Sequence, residues 1–191
     1  SISYTGPQGG NFIFFLSAGY ETDGLKDLNT SLTAGLSFYI SDNLILGSNA
    51  TIKNYQEWLI WDSEIERLTN YEADLATLNL SLDWNPSDNH ELRVKFQWAS
   101  VDAILSEVYQ INSNGLLEET SLLTSNFSFA DTALQIRYRY RMGPLSDAYL
   151  VYSRGGYYGS ESGNEGAKNL LEYGWENIQV ESLIFKVRLA F

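Results

Sequence analysis

Cysteine is absent from the 191 residues, so neither a disulfide framework nor a thiolate metal site is available. Basic residues are scarce, 12 against 24 acidic ones, giving a net charge of -12. That balance argues against nucleic acid as a partner, because phosphates demand a basic footprint. Proline occurs only three times, and turn-forming residues are spread evenly, which speaks against disorder. No stretch approaches the roughly 18 apolar residues of a transmembrane helix. The apolar run Phe12–Leu16 is too short even for a signal-peptide core. No basic n-region precedes it, so any export signal is expected to have been removed. A bilayer-spanning reading survives only as a β-barrel, the other architecture that satisfies backbone polar groups in lipid.

What the chain does contain is alternation with period two. Eight strands of an antiparallel all-β fold are predicted, at about Asn11–Thr22, Thr30–Ile40, Leu44–Tyr55, Tyr71–Trp84, His90–Ser100, Asn126–Met142, Asp147–Arg154 and Ser182–Phe191. The fifth is the cleanest, with Leu92, Val94, Phe96 and Trp98 set against Glu91, Arg93, Lys95 and Gln97. The seventh is the weakest, because both of its faces are apolar or aromatic. Most of these stretches are about ten residues long, the length a tilted strand needs to cross hydrocarbon.

Short links at Ser41–Asn43, Asn85–Asn89 and Gly143–Ser146 alternate with long ones at about Asp23–Asn29, Gln56–Asn70, Val101–Ser125 and Gly155–Ile178. Between antiparallel neighbours this alternation puts all long loops on one rim, as in bacterial outer-membrane barrels. Aromatic residues make up 14% of the chain and fall near the expected strand ends. Phe12, Phe38, Trp84, Tyr140 and Phe191 mark the short-turn rim; Tyr20, Tyr55, Trp98 and Tyr152 mark the other. A lipocalin-like soluble barrel would also alternate. It would rarely keep long and short links on separate rims through seven connections, or form two aromatic girdles. The transmembrane barrel is the preferred reading.

The final stretch, Ser182–Phe191, alternates apolar residues and ends on phenylalanine. It resembles the terminal signal of Gram-negative outer-membrane proteins, which the barrel-assembly machinery is known to read. That resemblance makes Phe185, Val187, Leu189 and Phe191 the assembly signal. The pattern departs at Lys186, where a small residue such as glycine is often found. The stretches Leu134–Gly156 and Asn89–Trp98 resemble the C-terminal barrel of large proteobacterial proteins of unknown function. Those proteins carry an N-terminal carbohydrate-binding module of family 9 type. The resemblance covers roughly the last two-thirds of the chain. It implies that this chain is the C-terminal part of a larger barrel, with the sugar-binding module lying outside it. Gly6–Gly10 then reads as a turn from a preceding strand.

Catalytic patterns are not found: no G-x-S-x-G, P-loop, zinc or EF-hand spacing occurs. The single histidine, His90, falls at a short turn and reads as a solvated residue. An enzyme, a cofactor and a metal are all unexpected. The remaining constellation is electrostatic. Lys53, Arg93, Lys95, Arg137, Arg139, Arg141, Lys186 and Arg188 share the polar face, with fewer carboxylates there: Glu21, Asp83, Glu91 and Asp131. These cations either pair with loop carboxylates folded inward or line a hydrated lumen that favours anions. An eight-stranded barrel is filled by its own side chains, and unpaired buried cations cost several kcal/mol each. Their excess therefore favours eight strands out of a wider barrel. Two functions remain: porin-like passage or uptake of small solutes, sugars or anions, and a non-conducting barrel that anchors a surface module. Expected partners are outer-membrane lipid, lipopolysaccharide, the barrel-assembly machinery, upstream domains and other outer-membrane subunits. Deleting Phe191 should reduce insertion into the outer membrane while leaving secretion to the periplasm intact, as read by cell fractionation. Normal insertion of the truncated chain would count against the terminal signal.

Overall fold

The computed structural model describes residues 1–7, 10–22, 28–63, 66–121 and 124–190. The chain forms β1 (Ile2–Thr5), β2 (Phe12–Thr22), β3 (Leu28–Ser41), β4 (Leu44–Asp62), β5 (Arg67–Ser87) and β6 (His90–Ile111). It continues with β7 (Leu117–Glu119), β8 (Phe127–Gly143), β9 (Ser146–Ser160), the helix α1 (Ala167–Glu176) and β10 (Ile178–Arg188). All pairings are antiparallel, and the order across the sheet is β1-β2-β3-β4-β5-β6-β8-β9-β10, with β7 pairing β6. The links β3–β4, β5–β6 and β8–β9 are two residues each, at Asp42-Asn43, Asp88-Asn89 and Pro144-Leu145. Leu145 there takes φ 60°, the left-handed conformation that a tight reversal demands.

Each of the eight expected strands is present, but the described sheet has ten. β1 is the strand before the Gly6 turn, pairing Tyr4 with Leu16 of β2. β7 is a three-residue addition to the edge of a long hairpin. The sheet is not closed: β10 pairs only with β9, and β1 only with β2. The expected return of the last strand onto an N-terminal strand is therefore not made. The four residues of β1 could not cover the eleven of β10. Phe191 lies outside the described residues.

Three expected loops are largely ordered structure. β4, β5 and β6 run to 19, 21 and 22 residues, about twice what a membrane crossing needs. The reason lies in a change of parity. Below the middle of β6 the apolar residues are even-numbered, Leu92 to Trp98; above it they are Val101, Ala103 and Leu105. β5 switches likewise from Leu82, Leu80 and Leu78 to Leu75, Ala73 and Tyr71, and β8 from Ile136 and Leu134 to Phe129 and Phe127. A single alternating template stops at this switch, although the hydrogen-bonded ladder does not.

The upper, odd-parity residues form the sheet's one cluster of buried side chains among the described residues. Tyr71, Ala73, Val101 and Ala103 sit at its centre, with Trp58, Phe127 and Phe129 packed around them. A register shift between Tyr55 and Trp58 turns Trp58 onto this face opposite Tyr71. The rings of Trp58 on β4 and Phe127 on β8 approach to 6.2 Å although β5 and β6 lie between them. In a flat sheet three strand spacings separate them by about 14 Å, so the sheet curls toward this face. From β1 to β9 the odd-parity face of the lower half is concave and the even-parity face convex; β10 has the opposite parity, with Leu183 opposite Tyr152.

The cluster should carry much of the stability of the long-strand end. Tyr71→Ala should cost about 3 kcal/mol, measured by urea unfolding in detergent and followed by tryptophan emission. Leu80→Ala on the convex face, already 42% exposed, should cost far less.

Candidate functional site: two opposed faces

The convex face presents one continuous apolar band. Register places Phe38 beside Leu46, Leu46 beside Leu82, Leu82 beside Val94, and Val94 beside Ile136. The band continues through Tyr152 to Leu183. Many of its members are left uncovered: Leu32, Leu36, Phe38, Leu80, Leu150 and Phe185 are all exposed. Among the described residues the largest fully buried side chains are Leu170, Asn29 and Ser128, a small core for such a chain. Apolar surface of this extent marks a lipid or partner interface. Among the described residues no helix is long and apolar enough to cross a membrane, which leaves strands untouched as an alternative.

One cation interrupts the band. Arg154 of β9 lies between Leu134 and Glu181, and α1, expected as part of a loop, covers it. The guanidinium donates to the Trp175 carbonyl at 2.7 Å and stacks 4.0 Å from that residue's indole centroid. The Tyr152 hydroxyl donates to Glu181 at 2.6 Å, so the neighbouring carboxylate is also engaged. Two glycines let the helix approach. A Cβ on Gly156 would stand 2.0 Å from the Gly174 carbonyl, and one on Gly174 would crowd Ala130 and Thr132. The Thr132 hydroxyl donates to the Gly174 carbonyl at 2.8 Å, and Leu170 is fully buried beneath the helix. Asp102 fixes the approach to α1, accepting from the backbone N–H of Asn164 at 2.6 Å and of Gly166 at 2.8 Å. Leu170 and Gly174, four apart on one helix face, were the sequence signal, faint within ten residues.

The concave face holds all eight of the expected cations. Cross-strand register sets Arg93 opposite Arg137 and Asp83, Lys95 opposite Gln135 and Ser81, and Arg139 opposite Glu91 and Tyr149. Lys186 faces Tyr149, Arg188 and Arg141 both face Asp147, and Lys53 faces Ser31. On β2–β4 the concave face mixes small neutral residues, Ser17, Gly19, Thr33, Gly35, Ser37 and Asn49, with Ile13, Phe15, Tyr39 and Ile45 toward the short-turn rim. Tyr55, expected in the outer girdle, lies on this face instead, where its hydroxyl accepts from Lys53 at 3.5 Å.

Pairing divides the cations into two groups. Arg93 bridges Glu91 at 2.7 Å and Asp83 at 3.2 Å. Arg139 bridges Asp147 at 2.9 Å and Glu91 at 3.5 Å. These carboxylates stand on strands, Glu91 on the same strand as Arg93 and the others on adjoining ones, rather than on loops folded inward. Asp147, at the start of the weakest predicted strand, had not been counted on the polar face. Lys95, Arg137, Arg141, Lys186 and Arg188 make no ion pair among the described residues, although Arg137 stacks over Tyr149 at 5.1 Å. Arg141 stands at the short-turn rim, in a cleft with Asn43, Asp88 and Glu91.

Of the terminal residues, Phe185 and Val187 lie on the convex face opposite Leu150 and Ala148, and Leu189 follows them exposed. His90 is at the short-turn rim as expected, but it is not simply solvated. It hydrogen-bonds the Tyr138 hydroxyl and stacks on Tyr140 at 4.8 Å. Among the described residues no cluster of three His, Asp or Glu side chains is arranged to hold a metal ion.

Comparison with known proteins finds no matching family model, no similar curated protein and no similar solved structure.

Arg139 and Asp147 should prove coupled. Arg139→Gln and Asp147→Asn should each lower the thermal midpoint. The double variant should lose less than the sum of the two, and full additivity would mean that their contact is energetically idle.

Proposed function

We propose that this chain is part of a transmembrane β-barrel of a Gram-negative outer membrane, with porin-like passage of small anionic or sugar solutes along its concave face. The observation that carries the reading is the opposition of the two faces across nine paired strands: apolar and widely exposed outside, mainly polar and cationic inside. Soluble barrels bury the apolar face instead. Along β5 the apolar band runs from Trp84 to Ala76, about 27 Å of strand, which a tilt of about 40° reduces to about 20 Å. The large side chains at its ends extend it toward the ~25 Å of an outer-membrane band. Above it the convex face turns polar, with Asn54, Asp74 and Asp102 in register, as surface beyond the headgroups should.

Free edges cannot stand in hydrocarbon. The edges of β10 and β1 are accordingly proposed to join further strands, making the sheet the C-terminal portion of a wider barrel. Phe185, Val187, Leu189 and Phe191 would serve as its assembly signal, read by the barrel-assembly machinery. Outer-membrane lipid and lipopolysaccharide would contact the convex face, and upstream domains, including a sugar-binding module, would accompany the barrel.

A second reading, a non-conducting barrel that anchors a surface module, is favoured by the cluster at the long-strand end. Trp58, Phe127, Phe129 and Tyr71 project from the concave face there, and apolar constrictions can stop conduction by dewetting.

Sidedness is testable because no native cysteine interferes. A cysteine at the exposed Glu161 should react with an impermeant thiol reagent on intact cells, and one at the exposed Asp88 should not; the reverse pattern would invert the topology. In planar bilayers the protein should conduct with a preference for anions. Arg137→Glu with Arg141→Glu should move the reversal potential toward cations; Arg139 is left in place because its removal would strand Glu91 and Asp147. A silent wild-type protein would leave the anchor.

A further inference from the structure

The ion pairs of the concave face leave a specific place unneutralised. Beside the free edge of β10 lies a cavity of about 430 Å3 lined by Gln135, Arg137, Tyr149, Val151, Ile184, Lys186 and Arg188. Three of its seven lining residues are cations and none is a carboxylate. The nearest carboxylate in register, Asp147, is already committed: its Oδ1 accepts from Arg139 at 2.9 Å, and its Oδ2 from the Tyr149 hydroxyl at 3.4 Å. Arg188 faces Asp147 across the strand pair yet makes no ion pair with it. The carboxylates nearest this place thus serve Arg93 and Arg139, and Arg137, Lys186 and Arg188 are left together.

We propose that this cavity is a binding site for a soluble phosphate monoester. The proposal rests on the concave face being open to water as a solute path, and it names the solute class. Three converging positive charges exceed what one carboxylate neutralises, whereas a phosphate monoester carries about −1.5 to −2 at neutral pH. The guanidinium of Arg137 offers paired N–H donors that match phosphate oxygens, and Lys186 and Arg188 add charge from the adjoining strand. Tyr149 holds the Arg137 guanidinium over its ring at 5.1 Å, so less side-chain freedom is lost when an anion arrives. The Gln135 amide supplies a neutral donor, and Val151 with Ile184 gives an apolar wall for the ester's carbon chain. The volume falls within the ~300–1,000 Å3 of small-molecule sites. The sheet itself separates this cavity from the lipid-facing band, which favours a soluble ester over a lipid phosphate.

The test is calorimetric titration of the protein in uncharged detergent with glycerol 3-phosphate, using glycerol and ionic-strength-matched sodium chloride as controls. Glycerol 3-phosphate should bind and both controls should not. Arg137→Gln with Lys186→Gln should weaken binding by roughly tenfold or more, while Lys168→Gln, which removes one positive charge on α1 outside the cavity, should leave it unchanged. If the double variant does not fold, Arg137→Lys decides: it keeps the charge but not the fork, and a several-fold loss is expected. Unchanged affinity in the folded Arg137 variants, equal binding of glycerol, or binding only of phosphatidic acid in mixed micelles would each overturn the site. Binding in micelles requires no conduction. A protein that binds but is silent in bilayers therefore loses the passage and keeps the site, and one that conducts without binding does the reverse.

Discussion

Cross-strand register is the constraint on which everything else here depends. In an antiparallel ladder a slip of one residue in one strand would exchange its two faces. Leu46, Leu82, Val94 and Ile136 meet in one row, and Arg93, Arg137 and Asp83 in another, only because no slip occurs between those rows and the middle of the sheet. Three two-residue turns fix that register at the short-turn rim. It shifts beside the short turns, at Tyr39/Ser41, Trp84/Ser87 and Arg141/Gly143, and again between Tyr55 and Trp58 and between Asn70 and Tyr71, where the sheet has already entered its second regime. There the concave face is apolar and the convex face polar. The bulges thus re-aim aromatic rings into the upper cluster without disturbing the band beneath.

That second regime explains how an open sheet can hold its curvature. The lower half has apolar side chains on its convex face and hydrated ones on its concave face, so neither face supplies a protein core that would pull the strands round. The upper half does, with Trp58 and Phe127 in contact over two intervening strands. Helix α1 makes a complementary contact on the outside. Without it Arg154 would stand bare among apolar neighbours, with neither an acceptor nor a stacking partner on that side. The indole and carbonyl of Trp175 give that guanidinium a stacking surface and an acceptor, and Gly156 and Gly174 bring the helix close enough to do so.

Legibility in the sequence followed the same physics. The lower strands were readable because one parity carries Leu, Val and aromatic residues and the other carries charge, so eight strands and the face of all eight cations could be assigned. The continuation of β4, β5 and β6 was hidden because Val101, Ala103 and Leu105 sit out of phase with Leu92 to Trp98. β1 and β7, at four and three residues, are too short for periodicity to register. In β9 both faces are apolar or aromatic, and so the roles of Asp147 and Tyr149 on the concave face went unseen. Which cations would be paired could not be read at all. Pairing depends on the stagger between strands far apart in the chain, which brings Glu91 and Asp147 to Arg139.

The pairing also bears on what the concave face can do. If its cations served only to hold the sheet together, carboxylates would be distributed among them. They are concentrated instead: Glu91 alone serves both Arg93 and Arg139, while Asp83 and Asp147 each serve one of that pair. Arg137 lies between these bridges on β8 and receives only the face of Tyr149. An arginine held by an aromatic ring keeps its donors free, whereas one held by a carboxylate does not. The arrangement stabilises two cations by neighbouring strands and orients a third toward Lys186 and Arg188, on the side of the sheet whose edge is still open. No carboxylate of the described strands pairs with these three charges. Water, an anion or a strand joined at the open edge has to balance them, and which of the three does so separates the proposed wet interior from a packed one.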